Sequence, residues 1–253
     1  EITGEWDKKI TPDDWIVSLD EIQHPAELQD YYDQAIVTGK SKDTERLCEI
    51  ARYFCSGPII SIQNGMGNLE ILKNFAFENS AVGVTTNAVT KYQPGKINWV
   101  SKGILQVSGP KGLEFEESLS SMAAKYHPYP DDILWNKLLI NVAINPIAAI
   151  CGVKNGELLS EPLLSQSESV MLEAAGIARM CGANIPSDEE LIELLHKVMN
   201  DTSENTCSML ADVKSGRETE IDFLCGQVAL RGEKLGVATP LNSMLLAQVK
   251  SLR

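Results

Sequence analysis

Lys137, Asn141 and Asn145 recur four residues apart within Trp135–Asn155, WNKLLINVAINPIAAICGVKN, a stretch that is otherwise almost wholly apolar. On a helix, residues four apart share a face, and two such steps drift by only about 80°. The spacing predicts one apolar helix with one polar stripe. A lysine and two asparagines are costly to bury among Leu, Ile, Val and Ala unless they find partners. Those partners are either other groups of the protein or a ligand. Partial burial draws a lysine pKa toward neutrality and makes it a usable proton donor. With amide donors and acceptors beside it, such a lysine suits reduction of a small keto acid, whose carbonyl oxygen gains charge and takes a proton. The plain alternative is a lysine snorkelling from a helix near a boundary. The asparagines would then bond between helices, or cap a bend made by Pro146.

Two further groups have the same double reading. Asn205 and Ser208 open the segment NTCSMLAD, and Glu220 and Asp222 flank Ile221 just before the apolar run Phe223–Ala229. Acids in a first helical turn are ordinary helix-dipole chemistry. The functional alternative turns Glu220 inward, to hold the lysine, the substrate or a nicotinamide amide. Gln63-Asn64-Gly65-Met66-Gly67 follows the apolar run Pro58–Ile62. In open α/β sheets ligands sit beyond the carboxyl ends of strands, and glycines let backbone approach them closely. A tight turn is the plain alternative. Lys40, after Ala35–Thr38, stands at an equivalent strand end and could neutralise a phosphate. Asn155, between Lys154 and Gly156, reads as a turn residue.

The elements that must position these groups change character along the chain. Short strands read at 33–38, 58–62, 81–89, 96–100 and 104–107, with helices over 42–54 and 68–77. This alternation predicts an α/β layer with parallel pairing. From Asp131 the patterns are helical, over 131–150, 161–182, 187–199, 218–236 and 240–252. The segment YHPYP at 126–130 marks a boundary between domains expected at 1–127 and 128–253. The first thirty residues have no clear periodicity. No strand–GxGxxG–helix unit occurs. The nearest match, Gly65-Met66-Gly67, lacks the third glycine and reads as a turn. The chain also begins with Glu, so it reads as the trailing part of a longer protein.

Composition narrows the partners. The 253 residues carry 35 acidic and 22 basic side chains, a net charge of −13. That argues against nucleic acid or an anionic membrane, though not against a phosphate-bearing cofactor in a local basic pocket. No uninterrupted apolar run reaches the roughly 18 residues of a membrane span. Leu138–Val153 comes nearest and is broken by Asn141, Asn145 and Pro146. The opening EITGEWDKKI is too polar for a signal peptide. Six scattered cysteines without CxxC read as buried free thiols, which fits a reducing, cytoplasmic setting. His24, His127 and His196 are far apart, which argues against a zinc site.

Together QNGMGN at 63–68, WNKLLINVAINP at 135–146 and NTCSMLADVKSGRETEID at 205–222 resemble the ketopantoate reductase (2-dehydropantoate 2-reductase) family. Each motif alone is modest, and their order and spacing are specific. The likeness runs from about Asp33 to the C-terminus. It implies a partial Rossmann-type NADPH-binding domain, N-terminally incomplete. A helical, 6-phosphogluconate-dehydrogenase-like domain for substrate and catalysis would follow. It further implies reduction of ketopantoate to pantoate for pantothenate and coenzyme A synthesis, with Lys137 as proton donor and Glu220 beside it. Asn141, Asn145, Asn155, Asn205 and Ser208 match its substrate-binding positions, Asn64 matches positions for both ligands, and Lys40, Ala88 and Glu220 match cofactor-lining ones. A homodimer through the helical domain is a further implication of the family. Departures are Gly39 before Lys40, Thr206-Cys207 before Ser208, Asn87 before Ala88, and the absent glycine loop, without which weak NADPH binding is expected. Two alternatives stay open: a paralogue acting on another 2-keto acid, and a non-catalytic member kept for binding or dimerisation.

Overall fold

The computed structural model describes residues 2–4, 32–93 and 96–252. The aperiodic opening, apart from its first few residues, lies outside the described residues. The chain divides into two compact units. One comprises 1–63 with 68–130, and the other 64–67 with 131–253. The short segment Asn64–Gly67 thus clusters with the second unit, away from the strand that precedes it.

The first unit is built on a five-stranded sheet in the order β2-β3-β4-β7-β8. Strands β2 (Ala35–Val37), β3 (Ile59–Ser61) and β4 (Ser80–Thr85) run parallel. Antiparallel β7 (Leu105–Ser108) and then β8 (Ala124–Tyr126), parallel to β7, complete it. The parallel pairing expected holds for these pairs, and the one antiparallel step, β4 to β7, makes the sheet mixed. Successive strand residues face opposite sides. Ile59 packs with Val37, with Cys48 of α1 (Thr44–Phe54) and with Leu72 and Ala76 of α2 (Asn68–Ala76). Ile60 packs on the other side with Val107, Leu105 and Phe115 of α3 (Gly112–Ser118). Helices on both faces make the layer Rossmann-like.

The expected strand 81–89 is two strands. Thr85 Oγ1 accepts from the Asn87 backbone N–H (3.1 Å) and from Asn87 Nδ2 (2.8 Å). Such local side-chain bonds compete with the ladder and end β4. The chain then enters β5 (Ala88–Gln93), which pairs with β6 (Lys96–Ser101) in a second sheet, of order β1-β6-β5, with β1 at Ile2–Gly4. Beyond the carboxyl ends of β2 and β3, Ser41, Thr44, Ser61, Gln63 and Asn68 are all buried. Thr44 Oγ1 lies 2.7 Å from the Ser41 carbonyl, 3.0 Å from Gln63 Oε1 and 2.9 Å from Asn68 Oδ1. Gln63 Nε2 donates to the Gly39 carbonyl (3.0 Å), which fixes the loop that carries Lys40.

The second unit is helical: α4 (Pro130–Cys151), α5 (Leu163–Met180), α6 (Asp188–Asp201), α7 (Ser208–Lys214), α8 (Cys225–Leu235) and α9 (Pro240–Lys250). The expected helix 218–236 starts later, because Leu224 at φ −109°, ψ −102° separates α8 from a 3-10 turn at Ile221–Phe223. Helix α7 had no counterpart in the sequence pattern. Trp135, Leu138, Leu139, Val142 and Ala143 of α4 are fully buried in the main core. Although Asn141, Asn145 and Pro146 interrupt the apolar run, α4 is long and apolar enough to cross a membrane, with mean hydropathy 1.5. Most of it is nonetheless buried inside the protein, as befits a core helix. Of the six cysteines, all free, Cys151 and Cys181 are exposed, whereas burial was expected.

Candidate active site

Lys137 stands in the second turn of α4, between core residues Trp135 and Leu138, and is itself half-buried. Its Nζ donates to Asn64 Oδ1 at 2.6 Å. Burial lowers its pKa from 10.5 to about 8, and the Glu220 carboxylate partly opposes that fall. The lysine is therefore mostly a cation at neutral pH, yet close to release of its proton.

Asn64 reaches Lys137 because of the three residues that follow it. Gly65 and Gly67 have φ of +83° and +100°, a conformation that glycine adopts without strain. Met66 between them is buried in the core of the second unit, and its N–H donates to the Phe223 carbonyl at 3.0 Å. A Cβ at position 65 would lie 2.5 Å from that same carbonyl oxygen. Glu220 is delivered by the same short element. It caps the 3-10 turn Ile221–Phe223, and its carbonyl accepts from the Phe223 N–H at 2.9 Å. Glu220 is half-buried at the start of that turn, and its carboxylate charge raises the Lys137 pKa.

Asn141 and Asn145 continue the stripe along α4, both half-buried. The Asn145 carbonyl accepts from Cys207 Sγ at 3.6 Å. Cys207 caps α7, its sulfur accepting from the Leu210 N–H, and so the exposed Ser208 at the start of α7 is tied to α4. Asn155 is more than a turn residue. It is buried, its N–H donates to the Asn205 carbonyl (3.1 Å), and its Nδ2 donates to Thr202 Oγ1 (2.9 Å). Its Oδ1 is buried without a partner among the described residues. Lys137, Asn64 and Glu220 thus form one group and Asn155 with Asn205 another. Cys207 links the stripe to Ser208.

Lys40 and Ala88 belong to the first unit. Lys40 follows β2, and Ala88 follows β4 by way of Thr86-Asn87. Because these strands run parallel, both residues stand at the carboxyl edge of the sheet, where ligands of open α/β folds bind. Gln63 and Asn68, which fix that edge, bound the QNGMGN motif; Thr44, which joins them, escaped the sequence reading, its one signal being a polar residue at a buried position. Among the described residues no group of three or more His, Cys, Asp and Glu could hold a metal ion.

The chain matches Ketopantoate reductase PanE/ApbA over residues 7–111 and Ketopantoate reductase PanE/ApbA C terminal over 131–253. It is 32% identical over 228 residues to the 2-dehydropantoate 2-reductase of Archaeoglobus fulgidus, covering 87% of this chain and 76% of that one. A crystal structure of a PanE/ApbA family ketopantoate reductase from Ralstonia eutropha superposes with a TM-score of 0.81 at 25% identity, covering 90% of this chain and 78% of that one. The ternary structure of D-mandelate dehydrogenase with NADH and anilino(oxo)acetate shares the fold, with a TM-score of 0.81 at 22% identity over 90% of this chain and 78% of the other. With both halves matched and the paired motifs in place, the chain belongs to the ketopantoate reductase family, a family of oxidoreductases.

Proposed function

We propose that this protein reduces 2-dehydropantoate to pantoate with NADPH, and that Lys137 supplies the proton. The observation that carries this reading is the half-buried Lys137, whose ammonium donates to Asn64 Oδ1 and whose pKa burial lowers to about 8 against the pull of Glu220. An acid is most effective when its pKa lies near the working pH. When bound, the reduced nicotinamide supplies a hydride to the ketone carbon. The carbonyl electron pair moves to oxygen, and the Lys137 ammonium stabilises that charge and gives up its proton to it. Glu220 keeps the lysine charged in a site that burial makes hostile to charge. Asn141, Asn145, Asn155, Asn205 and Ser208 offer amides and a hydroxyl for the carboxylate and distal hydroxyl of the substrate.

The described part of the first unit offers the cofactor two strand-end loops, bearing Lys40 and Ala88, one of them fixed by the Thr44–Gln63 network, while the glycine phosphate loop is not in this sequence. Lys40 would meet a phosphate, and Asn64 and Glu220 would line the nicotinamide end. The curated relative named 2-dehydropantoate 2-reductase supports the substrate, and a fold neighbour bound to NADH supports a nicotinamide. The free cysteines support a cytoplasmic setting, and the family likeness supports a homodimer. The test is loss of reduced-cofactor absorbance with NADPH and ketopantoate. Turnover of ketopantoate in preference to other branched 2-keto acids is expected, and preference for another acid would overturn the substrate. A second reading, a paralogue on a different 2-keto acid, draws on the shared fold of D-mandelate dehydrogenase.

A further inference from the structure

Lys137 owes its environment to a loop that contributes one polar side chain and no helix or strand, so something must hold that loop down. The floor beneath it is α8 and the turn before it. The Phe223 carbonyl accepts from the Met66 N–H at 3.0 Å, and Gly65 passes directly against Phe223. One turn further on, the Gln227 amide covers Gly67: a Cβ there would lie 3.4 Å from Gln227 Nε2. Gln227 Oε1 in turn accepts from Arg231 Nη1, and the Arg231 guanidinium sits 5.9 Å from the ring centroid of Trp135. Trp135 is fully buried and precedes Lys137 by two positions on α4. Loop, α8 and α4 are therefore joined in one closed circuit: Lys137 to Asn64, Gly67 to Gln227, Gln227 to Arg231, Arg231 to Trp135.

We propose that Gln227 and Arg231 are positioning residues: with Phe223 they seat the Gly65–Gly67 loop and so keep Asn64 Oδ1 against the Lys137 ammonium. Neither touches the reacting atoms. The physical argument is preorganisation, since a misplacement of the order of 1 Å at a proton donor costs much of its effect. Glutamine is uncharged, so its removal leaves the action of the Glu220 charge on the lysine in place. The inference rests on Lys137 as the proton donor, and its test is chosen to read the seat without turnover.

The experiment follows the titration of Lys137 by NMR of isotope-labelled lysine, with the signal identified by its loss in Lys137→Arg. In Gln227→Ala the midpoint falls below about 8, by up to about one unit, as Asn64 Oδ1 leaves the ammonium and the charged form loses its acceptor. In parallel, kcat for reduction falls about 10-fold with a smaller change in KM. Gln227→Met, which keeps bulk and drops the polar end, moves the midpoint the same way and stands in should the alanine variant fold poorly. Arg231→Lys keeps the charge and loses the flat guanidinium over Trp135, and shifts the midpoint less. An unmoved midpoint in folded Gln227 variants overturns the proposal, whatever happens to kcat. A wild-type protein inert toward keto acids overturns the proposed function and leaves the titration to decide the seat.

Discussion

On the proposed function the chemistry at Lys137 reduces to one proton, whose affinity burial lowers and Glu220 raises. Replacing Lys137 with alanine is expected to lower kcat by about 10²–10⁴, the usual worth of a general acid, with the fold intact by circular dichroism. Survival of most of the activity would make Lys137 a structural lysine. The pH dependence follows from the sign of the shift. If Lys137 is the proton donor, the acid form is the active form, and it is lost as pH rises through about 8. The kcat for reduction should therefore be flat at neutrality and fall on the alkaline side of that value, well below the ordinary 10.5. A limb near 10 would show a solvated lysine. The stripe of Lys137, Asn141 and Asn145 was legible from spacing alone. The partner of Lys137 was not, because Asn64 lies 73 residues away and no local pattern links the two.

Among the elements, α9 depends on a carboxylate borrowed from another helix. Glu173 of α5 accepts from the Leu241 and Asn242 N–H groups, at 3.0 and 2.8 Å, and from Asn242 Nδ2 at 2.9 Å. It thereby satisfies donors at the start of a helix whose Asn242 is fully buried. Glu173→Ala removes the acceptor of the Leu241 and Asn242 N–H groups, while Asn242 Nδ2 keeps the Val170 carbonyl, and should cost about 2 kcal/mol. For a chain of this size that lowers Tm by about 4–8 °C in a thermal melt. Leu139→Ala, in the fully buried face of α4, should cost about 2–5 kcal/mol by the same measurement. The long helices were legible because each buries a broad apolar face. The 7-residue helices α3 and α7 were not, because pieces so short carry too few apolar positions to show a period. The break between β4 and β5 turned on two hydrogen bonds made by Asn87, which propensity does not foresee.

For the whole molecule the net charge of −13 opposes the approach of an anionic keto acid and of a phosphate-bearing cofactor. The repulsion is long-ranged and is screened as the Debye length shrinks from about 30 Å at 0.01 M salt to about 8 Å at physiological ionic strength. The kcat/KM for ketopantoate should therefore rise about 2-fold over that range. A fall would mean that a local basic funnel outweighs the net charge. The amino-acid sequence by itself determined the α/β half followed by the helical half, the polar stripe, and the family motifs. Periodicity, composition and spacing are local properties, and local properties survive in one dimension. Only the tertiary structure decided that Asn64–Gly67 clusters with the helical unit, that Phe223 receives it, and that Glu220 turns its charge on Lys137. Those facts depend on which distant segments exclude water from one ammonium group, and desolvation is a property of packing in three dimensions.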